Sequence, residues 1–181
     1  MAVNFTRMHA MMDVQMVKEE VSETKSGTVK ENAFRKEVIV DTNALLIPGE
    51  FGVDIFDELE RLGYLHIIVP RVVLNELEKL RKRPGLKGKD KIAANVGYSL
   101  IQRYTHAPVQ REERVTIRSR ISIEEAEGEE EEKDTDEIIT ALALKRKAAV
   151  LTNDEKLRTK LSQAGIATVY LRGGNRLEER V

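Results

Sequence analysis

Four carboxylates, Asp41, Glu76, Asp136 and Asp154, stand at positions from which side chains can do chemistry together. Asp41 follows directly on the apolar run Val38-Ile39-Val40, and Asp154 closes Thr152-Asn153-Asp154 after Ala149-Val150-Leu151. Short continuous apolar runs are the mark of strands buried on both faces. Both acids therefore fall just past a predicted strand, at the edge where open parallel sheets bind ligands. Glu76 lies inside the apolar stripe Val72, Val73, Leu77 and Leu80 of a predicted helix over 71–82. A carboxylate facing a core is costly unless it is paired or bound to a cation. Asp136 sits in the first turn of the next predicted helix, on the side of Ile139, Thr140 and Ala143. Taken singly, each has an ordinary explanation: an Asx turn or helix cap for Asp41 and Asp154, an ion pair for Glu76, helix-dipole complementarity for Asp136. Taken together, they make an all-oxygen cluster of like charges, which suits a hard divalent cation such as Mg²⁺ or Mn²⁺. Such ions activate water and stabilise the oxygens of a phosphodiester under attack, so hydrolysis of a nucleic acid is the expected chemistry.

The elements that would position these acids alternate along the chain. Predicted strands at 38–40, 66–69, 115–117, 149–151 and 167–171 are separated by helices over about 53–62, 71–82, 91–104, 136–147 and 155–164. Pro48-Gly49 marks a loop before the first helix, Arg83-Pro84-Gly85 breaks the second, and Thr135 is placed to cap the fourth. This alternation predicts an α/β fold, a three-layer α/β/α sandwich around a parallel sheet of about five strands. Residues 1–36 read as a polar, partly helical or disordered extension that packs, if at all, through Met8, Met12 and Met16; residues 37–172 read as the domain and 173–181 as a tail.

Composition narrows the function further. One domain suits the 181 residues. The absence of cysteine excludes disulfides, thiolate metal sites and a thiol nucleophile. No apolar run approaches the ~20 residues of a membrane span, and the expected location is cytoplasmic. The net charge of -1 conceals an asymmetry: 124–136 carries nine acids against one base, whereas 71–120 carries thirteen bases against five acids. A basic middle suits a binder of phosphate backbones, although a solvated helical face has the same composition. The acidic stretch at 124–134 is expected to be a surface loop. Aromatic residues are 4% of the chain, so base stacking is not the expected recognition device, and backbone contacts by Arg and Lys would dominate. His9, His66 and His106 lack metal-site spacing, and no Gly-rich nucleotide loop is present.

The four stretches Val38-Ile39-Val40-Asp41-Thr42-Asn43, Val69-Pro70-Arg71-Val72-Val73-Leu74-Asn75-Glu76-Leu77, Asp136-Glu137-Ile138-Ile139-Thr140 and Val150-Leu151-Thr152-Asn153-Asp154 together resemble the PIN (PilT N-terminus) domain. In order and spacing the resemblance spans roughly residues 37–171. It implies a ribonuclease using Mg²⁺ or Mn²⁺, with the family's metal-binding acids at Asp41, Glu76, Asp136 and Asp154. Asn43 would hold Asp41 or a substrate phosphate, Thr152 would brace the site, and Asn153 would shape the turn. The chain carries Lys156 where several relatives have an acid, and Thr135 beside Asp136, with Asp134 and Glu155 as candidate outer ligands. The extension and the long acidic run point to the ribosomal-RNA-processing branch rather than compact VapC toxins. RNA is the implied substrate, a homodimer the implied assembly, and a ribosome-assembly or antitoxin protein the implied partner. A non-catalytic scaffold in a ribonucleoprotein particle is the rival from a different class.

Overall fold

A computed structural model describes residues 36–85, 88–106, 119–125 and 134–181, and Lys36–Val181 form one compact unit. Six strands make one sheet in the order β3-β2-β1-β4-β5-β6. They are β1 (Lys36–Val40), β2 (Tyr64–Pro70), β3 (Arg120–Glu124), β4 (Ala149–Leu151), β5 (Thr168–Arg172) and β6 (Arg176–Arg180). All neighbours pair in parallel except β5 and β6, which are antiparallel. The helices are α1 (Ile47–Phe51), α2 (Ile55–Arg61), α3 (Arg71–Lys82), α4 (Lys89–His106), α5 (Thr135–Arg146) and α6 (Glu155–Gln163), with a 3₁₀ turn at Ala44–Leu46 before α1.

Central strand β1 explains the topology. Val38, Ile39 and Val40 have no solvent exposure, and Ile67, Ile68, Val150 and Leu151 on its two neighbours are equally covered. Helices must therefore cover both faces, which gives the expected three-layer α/β sandwich. The chain leaves β1 toward β2 and later returns to β4 on its other side, so the carboxyl ends of β1 and β4 flank the point where the connections diverge. A crevice opens at such a point.

Several local expectations change. Arg120–Glu124 is the third strand, and the run at 115–117 lies outside the described residues. An edge strand needs only partial burial, and Arg-Ile-Ser-Ile-Glu carries the alternation of a half-exposed strand rather than an apolar run. The stretch 173–181 is a hairpin and β6 rather than a tail; its one buried residue, Leu177, left almost no pattern to read. Asp54 caps α2 by accepting from the Phe56 and Asp57 backbone N–H groups, so that helix starts two residues later than its apolar pattern. Asp134 holds the cap position of α5, and Thr135 is its first helical residue. The acidic stretch begins inside β3 at Glu124, where Arg146 pairs with it, while 126–133 and the extension 1–35 lie outside the described residues.

The loop expected around Pro48-Gly49 is the 3₁₀ turn followed by α1, which buries Ala44, Leu45 and Ile47. Two glycines allow this segment to lie against α4. A Cβ on Gly97 would stand 2.0 Å from the Leu45 carbonyl oxygen, and one on Gly49 would stand 2.2 Å from Ala93 Cα. This close contact holds the chain just past Asp41 against the body of the domain.

Candidate active site

Asp41 is fixed before its side chain is considered. Its backbone N–H donates to the Leu151 carbonyl at 3.0 Å, extending the β1–β4 pairing by one residue. The carboxylate is 6% exposed and takes a hydrogen bond on each oxygen: Oδ1 accepts from the Thr42 backbone N–H at 2.6 Å, and Oδ2 from the Thr152 hydroxyl at 2.7 Å. Thr152, fully buried, also accepts the Asp154 backbone N–H at 3.0 Å. A continuous hydrogen-bonded path thus joins the strand-end acid Asp41 to the turn that carries Asp154.

The other acids arrive from helices. Glu76, half-buried in the second turn of α3, accepts the Thr42 hydroxyl on Oε2 at 2.5 Å. Its partner is this hydroxyl rather than the Arg or Lys that an ion pair would require. Asp136 lies half-buried in the first turn of α5. Asp154 is exposed, and its Oδ1 caps α6 by accepting from the Lys156 N–H at 2.7 Å and the Leu157 N–H at 3.1 Å. Helix capping and membership of the acid group are therefore both true of Asp154.

Two amides stitch the strand ends beneath the acids. Asn43 Oδ1 accepts the Asn153 backbone N–H at 3.0 Å, and Asn153 Oδ1 accepts the Leu171 N–H at 2.8 Å. Asn43 thus holds the β4–α6 turn, with Thr152 as its other neighbour, rather than the carboxylate of Asp41. Asn153 does more than shape a turn, since it ties β4 to β5.

Asp41, Glu76, Asp136 and Asp154 line one cleft of about 910 Å³ at the carboxyl edge of the sheet. Electrostatics links them. Burial pushes the Asp41 carboxyl up to about 6; the Thr152 and Thr42 hydrogen bonds oppose this, and the charges of Asp136 and Glu76 add to it. Asp136 is also raised, first by burial, then by Asp134 and Asp154; Lys160 opposes the rise, and Glu76 adds a smaller push. Among the described residues, however, no three acids converge closely enough to ligate one ion as a ready-made cage. The cleft is an acidic mouth with hard oxygen donors and no soft ones. Mg²⁺ binds such sites through one or two carboxylates while keeping several waters, so this donor set fits it.

The rim is basic. Lys79, Lys82 and Arg83, from the end of α3 and the residue after it, line the same cleft. Other bases of the 71–120 stretch belong to the solvated face: Arg71 pairs with Glu125 at 2.8 Å, and Arg81 lies 3.8 Å over the Tyr98 ring while binding Asn95. The stretch thus divides between bases that line the cleft and bases on a solvated helical face. His66 is satisfied by Glu37 and Ser122 at 2.8 and 2.9 Å, away from the acids. Sequence reasoning missed Thr42, the hydroxyl that joins β1 to Glu76; the available signal was a side-chain donor directly after a strand-end acid.

Comparison with known proteins agrees with this fold. A model of the PIN-like domain family matches residues 38–174, a span that contains every residue of the site. Ribonuclease VapC9 of Archaeoglobus fulgidus is 27% identical over 139 residues, covering 77% of this chain and 85% of that protein. The solved structure of the PIN domain endonuclease Utp24 superimposes with a TM-score of 0.55 at 21% identity, covering 80% of this chain and 92% of the other. A domain of a functionally unknown protein from Methanocaldococcus jannaschii is also similar, at 23% identity with a TM-score of 0.49, covering 81% and 96%. With a mostly parallel six-stranded sheet, acids at its carboxyl edge and a family model that spans most of its length, this chain belongs to the PIN-like domain family.

Proposed function

We propose that this protein is an endoribonuclease that hydrolyses RNA phosphodiesters in the cleft beyond β1 and β4, with Mg²⁺ or Mn²⁺ as cofactor. The observation that carries this reading is the meeting of four carboxylates from two strand ends and two helices in one cleft under a basic rim. Asp41, Glu76, Asp136 and Asp154 would hold the ion between them, one or two directly and the others through its waters, and the ion when bound would supply an activated water and charge stabilisation for phosphoryl chemistry. The chain's own residues prepare the site. Thr42 and Thr152 hold both oxygens of Asp41 in one orientation, and Thr42 ties Glu76 to the same strand. Asn43 and Asn153 keep the ends of β1, β4 and β5 in register, so Asp41 and Asp154 hold their spacing. Lys79 and Arg83 offer cations to the phosphates flanking the scissile bond, beside Lys82, which Glu78 pairs at 3.0 Å.

The match to a protein named Ribonuclease VapC9 supports RNA as the substrate class. Within that class we place the protein in ribosomal RNA processing, on its long acidic run and its extension. The same match favours a second reading, a VapC-type toxin restrained by an antitoxin. A circular RNA tests the primary reading, because only an endonuclease opens it. Linear product formed in Mn²⁺ and abolished by EDTA supports the reading; an intact circle, bound but uncut, supports a non-catalytic scaffold instead. Growth arrest on expressing the wild type but not Asp41→Asn would identify a toxin. A defined cut in precursor ribosomal RNA without arrest would identify a processing enzyme. A homodimer, with a ribosome-assembly protein as the further partner in the first case and an antitoxin in the second, belongs to the same proposal and is tested by sedimentation. Among the described residues no helix is long and apolar enough to cross a membrane.

A further inference from the structure

A second concavity lies between the outer face of α6 and the β5–β6 hairpin, apart from the acidic cleft. It encloses about 260 Å³, just below the roughly 300–1,000 Å³ of pockets that take whole drug-sized ligands. Arg158 lines it, with its guanidinium carbon 4.6 Å from the centroid of the Tyr170 ring. Its Nε is buried and has no hydrogen-bond partner, the one such buried side-chain nitrogen among the described residues. A buried donor left unpaired is costly and calls for an explanation.

Among the described residues, the nearby acids are engaged elsewhere or stand off from it. Glu178, on the same sheet face as Tyr170, is taken by Arg172 at 2.6 and 2.7 Å. Glu155 lines the pocket but makes no ion pair with Arg158 within 4.0 Å. A second cation, Arg180, is paired in register with Thr168 across the hairpin, so both side chains share the face that lines the pocket. Thr168 is 3% exposed and brings its hydroxyl-bearing side chain to the same wall. Ser162, two turns along α6 from Glu155, adds another hydroxyl to the wall.

Two arginines, one with its guanidinium over an aromatic ring and its Nε–H buried and unpaired, line one small concave site together with hydroxyl side chains. Guanidinium forks match the oxygens of phosphate, and hydroxyls complete its hydrogen bonding. We propose that the pocket formed by Arg158, Arg180 and Thr168 binds a phosphate group. The phosphate comes either from an RNA strand that also reaches the acidic cleft or from a free phosphate compound. The first source rests on the ribonuclease reading; the pocket itself does not.

The test follows the side-chain Nε–H resonances of arginine in the ¹⁵N-labelled full chain during titration with inorganic phosphate at low salt. The expected result is a saturable shift of the Arg158 resonance. Affinity measured by calorimetry should fall at least tenfold in Arg158→Gln and severalfold in Thr168→Val, with part of it kept in Arg158→Lys. Thr168→Val conserves shape, so it reports on the pocket even if an Arg158 variant folds poorly. The absence of a saturable shift, or equal affinity in wild type and both Gln and Val variants, overturns the proposal. Binding of a short labelled RNA to Asp41→Asn, with and without Arg158→Gln, identifies the source. Weaker binding with a salt slope reduced by about 0.7 assigns the pocket to a strand phosphate. Unchanged RNA binding, with phosphate binding lost, assigns it to a free phosphate compound. Loss of the phosphate result with RNA cleavage intact would remove this pocket alone. Phosphate binding without any RNA cleavage would remove the nuclease reading alone.

Discussion

Replacing Asp41 by Asn should stabilise the domain at neutral pH while removing its activity. The folded state holds the Asp41 carboxyl at about 6 against its usual 3.8, mainly because ionisation there occurs away from water and beside Asp136 and Glu76. At ~1.4 kcal/mol per tenfold change in proton affinity, the rise corresponds to about 3 kcal/mol. Its sign follows from proton binding. Between about pH 4 and 6 the folded chain keeps a proton that the unfolded chain has released, so stability falls as pH rises through this window. The contribution of that proton is complete below about pH 4 and gone above about pH 6. Asn cannot ionise and escapes the loss. Its amide retains an acceptor for the Thr42 N–H, and the Thr152 hydroxyl has Asn43 Oδ1 as an alternative acceptor at 3.4 Å. The rearrangement should cost about 1 kcal/mol. The variant should therefore exceed wild type by about 2 kcal/mol at pH 7 and fall slightly below it at pH 4. Urea unfolding of both proteins in EDTA, at half-unit steps from pH 4 to 7.5, measures the difference. At pH 7 it should appear as a melting temperature several degrees higher, at roughly 2–4 °C per kcal/mol for a chain of this size. A stability difference that stays flat across that range would refute the burial and charge coupling assigned to Asp41.

Four further outcomes are expected. Mn²⁺ affinity of the wild type should rise with pH through about 6 as the ion-free Asp41 carboxyl ionises, and Thr152→Val should move that midpoint upward because the hydroxyl holds the carboxyl down; calorimetry of each at stepped pH checks this. Gly97→Ala should destabilise the domain by about 1–3 kcal/mol in thermal unfolding, since its new methyl would drive into the Leu45 carbonyl. Mn²⁺ should bind the wild type in calorimetry and fail to bind Asp41→Asn/Asp154→Asn, while equal heats from both would displace the ion from this cleft. RNA binding should weaken steeply with NaCl, and Lys79→Gln/Arg83→Gln should flatten the salt slope by about 1.4, as read by fluorescence anisotropy.

The parts of this architecture written in local pattern were legible in the sequence. Strand β4 and residues 38–40 of β1 are continuous apolar runs because helices cover both their faces, and α3 matches its pattern to the residue. The acids at strand ends followed from that, and so did Glu76, whose place in an apolar stripe is explained by the Thr42 hydroxyl waiting across the helix–strand contact. Strand β6 was hidden because an outer antiparallel strand needs only Leu177 inside, and Arg, Glu and Glu around it read as a tail. The helical path at 44–51 was hidden because Pro48 and Gly49 signal a loop locally. Only the approach of Ala93 gives that glycine its reason. Asn43 shows the limit of reasoning from position: its neighbour in sequence is Asp41, but its hydrogen bond goes to Asn153, 110 residues away. The mutual resistance of the acids to ionisation is likewise a property of the assembled cleft, since Glu76 and Asp136 come from separate helices.

The central claim is that the acid group works as one catalytic centre on RNA. Its most direct test is the single-turnover rate of RNA cleavage in Mn²⁺ by wild type and Asp41→Asn, at enzyme concentrations that saturate the RNA in both. A loss of at least about 100-fold, with RNA affinity and folding retained, is expected for a group that holds the ion itself, because residues that merely support metal ligands already cost roughly 10–100-fold. Cleavage by Asp41→Asn at the wild-type rate would contradict the claim and move the chemistry away from the carboxyl ends of β1 and β4.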